Sequence, residues 1–191
     1  MGAISNPGGT TQGHPDAAAR GVGAGVLALW AATAGYAALL VWQGFVLPEA
    51  VPGHIGPDGG VTRWGSRTEH LIVGTVLGAV MVAAFALPAV FIHRIDAAFL
   101  NVPHKEYWLR PEHRPAAQRM LADDMGWMGA ATLVFIGFMM WQLGEVARGR
   151  PFPSWVLWAA TGVFVAGVVA YSAWMSKGSR WRPPADGDLR R

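Results

Sequence analysis

The sequence predicts an all-α integral membrane protein, a four-helix bundle with both termini in the cytoplasm. Three observations predict it. Hydrophobic residues make up 52% of the 191-residue chain and charged residues 14%, against about 25% charged in an average soluble domain. The apolar residues gather into four segments of the roughly 20 residues a spanning helix needs. The basic residues are unevenly shared among the connectors.

The residues before the first span, 1–20, form a Gly-, Thr- and Pro-rich arm with one basic residue, Arg20. Such composition predicts a disordered cytoplasmic arm rather than a signal peptide. The membrane domain is expected over 21–176. Its spans run from about Val22 to Leu47, Leu71 to Ile92, Met125 to Gly144, and Ser154 to Met175. None contains Asp, Glu, Lys or Arg. A continuous helix satisfies its own backbone in hydrocarbon, so each reads as a helix. Pro48 ends the first and Pro88 is expected to kink the second. The pairs Ala31/Gly35, Gly74/Gly78 and Gly162/Ala166 have the spacing that lets helix backbones approach, although Gly and Ala are also simply common here.

Basic residues set the orientation. The central connector, 94–123, carries Arg94, Lys105, Arg110, Arg114 and Arg119, and the tail, 177–191, carries Lys177, Arg180, Arg182, Arg190 and Arg191. The other connectors, 48–68 and 145–153, hold Arg63, Arg67, Arg148 and Arg150. The excess places both termini and the central connector inside. The net charge of +3 therefore reads as topology, and no nucleic-acid partner is expected. Most tryptophans fall near span ends, as interfacial anchors do, but Trp30 and Trp158 do not obviously fit.

Few chemical functions are compatible with this composition. There is no cysteine, which excludes disulfides and thiolate chemistry. No nucleophile–base arrangement, phosphate-binding loop or zinc spacing is present, so neither an enzyme nor a cofactor or metal is expected. Pumps and proton-coupled transporters usually need ionisable groups inside the membrane, and these spans offer none. Asp123 and Asp124 open the third span, where capping its N-terminus is the expected role. Gln43 and Gln142 lie near the outer face and are expected to bond each other or support the outer loop.

The outer connector, 48–68, is the more distinctive of the two long ones. Gly56-Pro57-Asp58-Gly59 has turn chemistry. His54 has three open readings: a loop hydrogen bond, a ligand contact, or a metal site with His70, Asp58, Glu49 or Glu69. Trp64 reads as an interface anchor or a recognition residue. Arg63 and Arg67 read as headgroup contacts or partners of Asp58 and Glu69. His54, Asp58, Arg63, Trp64 and Arg67 are thus the candidate recognition residues.

The spacing Leu47-Pro48, Val51-Pro52, His54, Asp58-Gly59-Gly60, Arg63-Trp64-Gly65-Ser66-Arg67 resembles a bacterial membrane-domain family of unknown function. Ile55 stands where that family has an aromatic, Thr62 where Asp is usual, and Arg67 in place of Lys. The domain also occurs in proteins similar to SdpI-type immunity proteins, so the resemblance implies toxin immunity or peptide sensing through the outer loop.

In the cytoplasmic connector, Asn101-Val102-Pro103-His104-Lys105-Glu106-Tyr107-Trp108-Leu109-Arg110-Pro111-Glu112-His113-Arg114 resembles a motif of the same broad group, with His104 replacing an Asn. A surface-lying helix from Pro111 is one expectation. A partner-docking surface of Asn101, Tyr107, Trp108 and Arg110 is the other. Taken together, the chain reads as a small multi-pass protein of the cell membrane, embedded in the lipid bilayer and acting by binding. It would be an accessory subunit of a membrane-protein partner. The alternative is an immunity or sensing protein that meets an extracytoplasmic peptide. A transporter or channel built by oligomerisation is the third reading.

Overall fold

The computed structural model describes residues 22–94, 96, 102–177 and 179–183. The arm 1–20, Asn101 and the end of the tail lie outside the described residues. The chain has four helices long and apolar enough to cross a membrane. They are α1 (Ala24–Val46), α2 (Arg67–Phe91), α4 (Arg114–Ala147) and α5 (Ser154–Lys177), with a one-turn helix, α3 (Lys105–Trp108), between the second and third. The all-α expectation holds for the spans but not for the first connector. There, β1 (Ala50–Ile55) and β2 (Val61–Ser66) form a two-stranded antiparallel hairpin.

Each helix end has a local cause. Leu47 is extended, with φ −76° and ψ 141°, as the residue before a proline must be. Ser66 caps α2: its Oγ accepts the Glu69 N–H at 3.0 Å. Ser66-Arg67-Thr68-Glu69 has the spacing of a capping box, which starts the helix a turn before Leu71 and directly out of β2. α2 runs through Pro88 to Phe91.

α4 departs furthest from expectation. Its 34 residues span about 51 Å, against about 30 Å of hydrocarbon. The segment expected to lie on the surface from Pro111 is instead the first turns of this one helix, which begins at Arg114 with Pro115 in its first turn. Ala117 is buried against Val102 and Trp181, and Gln118 Nε2 donates to the Ile92 carbonyl at 3.0 Å.

α4 is also the spine of the bundle, packing broadly on α1 and α2 and little on α5. Leu29, Tyr36 and Leu40 of α1 meet Leu133 and Met140 of α4 in the core. Small residues make that approach possible. Gly126, Ala130, Gly137 and Gly144 are all buried and recur at helical spacing on one face. The Gly74/Gly78 pair packs under Tyr36, whose hydroxyl donates to the Gly74 carbonyl at 2.7 Å. At Gly35 and Gly162 a methyl group would meet nothing within 4 Å, so those two pairs are not packing motifs within the chain.

Candidate functional site

The hairpin end of the bundle gathers most of the candidate residues. Its turn is closed by Gly56 N–H donating to the Gly60 carbonyl at 2.8 Å and by Asp58 Oδ1 accepting the Gly60 N–H at 3.1 Å. Gly59 sits at φ 86°, a conformation that glycine adopts without a Cβ clash. His54 pairs with Arg63 in register, with irregularities on both sides. Its Nδ1 lies 2.7 Å from Thr62 Oγ1, so the ring bonds a neighbouring side chain across the hairpin.

Ion pairs fasten the hairpin to the helices. Arg63 Nη1 donates to Glu69 Oε1 at 2.6 Å. Arg67 donates to the Leu47 carbonyl at 3.1 Å and pairs with Glu49. Exposed pairs of this kind contribute about 0–1 kcal/mol each, so they orient the hairpin more than they stabilise it. Burial of Val51 and Pro52 at the base does more to seat β1 against α4. The polar groups of His54, Asp58, Arg63 and Arg67 are thus engaged within the hairpin and its supports. Trp64 alone of the five presents a large exposed ring, 56% accessible.

The hairpin tip reaches across to α5. Trp158 Nε1 donates to the Pro57 carbonyl at 3.1 Å, between residues 101 apart in sequence. Gly59 lies against Ser154. This explains the tryptophan that fits no interfacial anchor pattern: it tethers the loop. Beneath the tip, between the ends of α4 and α5, is a pocket of about 200 Å³. Gln142 lines it.

The two glutamines do not bond each other. Gln43, wholly buried, donates from Nε2 to the Met140 carbonyl at 2.9 Å. Its Oε1 is 3.0 Å from His70 Nε2. Since the Gln43 oxygen is the acceptor, His70 carries its proton on Nε2. One side chain thereby ties α1 to α2 and α4, and Gly144 leaves room for it. Gln43→Leu is expected to lower stability by about 1–3 kcal/mol, because it strands a buried imidazole N–H. Denaturant titration in detergent checks this; a variant as stable as the parent rejects the role.

His54 and His70 therefore have separate partners. Among the described residues no three His, Asp or Glu side chains converge on a point suited to a metal ion. Glu145, buried at the end of α4, accepts from Arg148 at 2.7 Å and lies 3.3 Å from Arg150. The Arg148 guanidinium also lies 5.1 Å over the Trp42 ring, a cation–π contact that joins α1 to α4.

At the opposite end, the two aspartates serve other helices. They lie in the third turn of α4, so neither caps it. Asp123 Oδ1 accepts the Gly25 N–H at 2.5 Å, capping α1, whose N-cap Gly23 has no side chain to do so. Asp124, 2% exposed, accepts from Tyr171 at 2.8 Å and Arg180 at 2.6 Å. The signal for both was in the sequence only as two carboxylates beside an apolar run.

The candidate docking residues of this end are partly engaged. Trp108 Nε1 donates to the Trp181 carbonyl at 2.8 Å, and the two rings meet edge to face. Tyr107 stacks on His113 at 4.1 Å. Arg110 is exposed, its Nε bonded to the Glu106 carbonyl. His104 occupies the left-handed region at φ 53°, which Asn, Asp and His tolerate best among non-glycine residues. No protein-family profile, curated protein or solved structure matches the chain.

Proposed function

We propose that the protein acts by binding, as an accessory subunit of another membrane protein in the cell membrane, with both termini cytoplasmic. The observation that supports this best is α5. It is long enough to span, yet none of its most apolar stretch is buried. Among the described residues, α4 is the one spanning helix it packs on. The face turned from α4 carries Trp155, Val165 and Val169, the last 62% exposed. Helices in lipid associate through close packing and not through exclusion of water, so an apolar helix with few internal contacts is the one free to pack against a partner.

A photo-crosslinking residue at Val169 in the intact cell tests this. One discrete adduct is expected there and none from the same residue at Val76 on α2. Gentle detergent should retrieve the adduct's partner in stoichiometric amount. A chain that crosslinks to nothing at either position and purifies alone overturns the reading.

The exposed Trp64 on a braced hairpin favours a second reading, immunity or peptide sensing, with the hairpin facing outward as the basic residues suggest. In an immunity assay, substituting His54, Asp58 and Trp64 should abolish protection while membrane insertion is retained. Retained protection would remove the hairpin from that role.

A further inference from the structure

The segment just past α5 is held in the way a bound peptide is held. One turn of 3₁₀ helix, Ser179–Trp181, carries Arg180 and Trp181 onto two different kinds of surface. The Arg180 guanidinium donates to Asp124 at 2.6 Å and reaches Asp123 at 3.5 Å. The Trp181 ring, 1% exposed, is buried with Val102 of the connector and Ala117 of α4, and Leu109 packs beside them. The Trp181 carbonyl accepts the Trp108 indole N–H at 2.8 Å. A cation, an aromatic ring and a backbone carbonyl are thus each met by a separate part of one seat.

That seat has the anatomy of a protein interface, an apolar centre with a charged rim. Arginine and tryptophan are the residues that most often dominate such interfaces. The seat is also larger than the tail fills: a cavity of about 350 Å³ adjoins the Trp181 ring, walled by Val102, Pro103, Leu121 and Met175. Trp108, a docking residue on sequence grounds, lies under this cover. A second copy of the chain is a poor occupant. Trp181 is four residues past the end of α5, a reach of about 14 Å at most. A second tail would arrive only with its own α5, where Tyr171 already bonds Asp124.

We propose that this seat docks a cytoplasmic segment of a partner protein in which an arginine is followed by an aromatic residue, and that the chain's own Arg180-Trp181 fills it as an autoinhibitory strap. This rests on the accessory role and gives the chemistry of the partner. On exchange, the partner's guanidinium takes the place of Arg180 beside the carboxylates, so no buried charge is left uncompensated. Its ring replaces Trp181, and its further residues enter the adjoining cavity.

The test uses the full chain in nanodiscs and a fluorescent peptide, Gly-Ser-Arg-Trp-Arg-Pro, that copies residues 178–183. Trp181→Leu, which weakens the strap, should bind the peptide about tenfold more tightly than the parent, where the tethered tail competes at millimolar effective concentration. Glutamate in place of the peptide's first arginine should abolish binding. The parent gives a reading that leaves the seat intact. A spin label on Arg182→Cys, an exposed position in a chain without other cysteines, should gain mobility as excess peptide displaces the tail. Absence of both effects, or binding indifferent to the glutamate exchange, overturns the site.

In cells, a photo-crosslinking residue at Leu109 should give one adduct, severalfold stronger in Trp181→Leu, mapping to a partner peptide with arginine before an aromatic residue. An adduct of twice the chain's mass would mean a second copy and overturn the assignment to a partner protein. No adduct at Leu109 while Val169 still crosslinks would remove the strap's role and leave the accessory reading standing.

Discussion

Gly126→Val is expected to destabilise the bundle by about 3 kcal/mol, the upper end of the cost of overpacking. A Cβ on Gly126 would lie 2.3 Å from the Gly25 carbonyl carbon and 2.5 Å from the Val26 nitrogen. Those are backbone atoms of α1. No rotamer change relieves the clash, so the two helices must separate. Separation would also draw the Gly25 N–H away from Asp123 and loosen the packing of Leu29 at Gly129. Unfolding in mixed micelles, followed by tryptophan fluorescence, measures the loss. Gly35→Val is the control, because nothing lies within 4 Å of that position, and it should change stability by less than about 0.5 kcal/mol. Equal effects at the two glycines would show that α1 and α4 are not in backbone contact.

Arg180→Ala should cost a comparable amount, about 3 kcal/mol. Asp124 is 2% exposed and Arg180 is its only cationic partner among the described residues. Removing one member of a buried pair leaves the other uncompensated, which is more costly than never having the pair. The double variant Asp124→Asn, Arg180→Ala removes the stranded charge and should recover at least about 1 kcal/mol of the loss, since neutral amides need no counter-charge. The same micelle titration reports it. A double variant no more stable than Arg180→Ala alone would mean that the arginine acts through packing. Arg180 also joins Asp123 at 3.5 Å, so its loss is expected to loosen the N-terminal end of α1 as well as the end of α5.

Both predictions rest on contacts between distant parts of the chain, and this marks where the sequence stopped being informative. The spans were legible because hydrocarbon thickness imposes a length and a composition on any helix that crosses it. The turn at Gly56–Gly60 was legible because proline and glycine restrict or extend backbone choice locally. The two strands around it were not, since Ala50–Ile55 carries Pro52 and Gly53, Val61–Ser66 carries Gly65, and neither alternates cleanly. Ser66 and Glu69 did carry a local signal, a capping box, which sets the start of α2. The roles of Asp123, Gln43 and Trp158 had no such signal. Their partners lie 98, 97 and 101 residues away.

The candidate residues divide in the same way. His54, Asp58, Arg63 and Arg67 were recognisable as a group because they share one short segment. The structure engages their polar atoms in holding that segment together. Gln142 was visible as a polar residue in an apolar span, but that its buried amide nitrogen meets no acceptor is a property of its surroundings.

The sequence by itself determined that the chain has four helices long and apolar enough to span a membrane, where they begin to within about a turn for three of them, and where the long connector turns. Those features follow from local backbone preference and from the burial of hydrophobic length. Tertiary structure alone decided which helices touch, that α4 outruns its span, that one aspartate caps a helix other than its own, and that the hairpin leans across to α5. Such outcomes depend on which glycine leaves room for which neighbour, and packing of that kind is specified jointly by surfaces far apart in the chain.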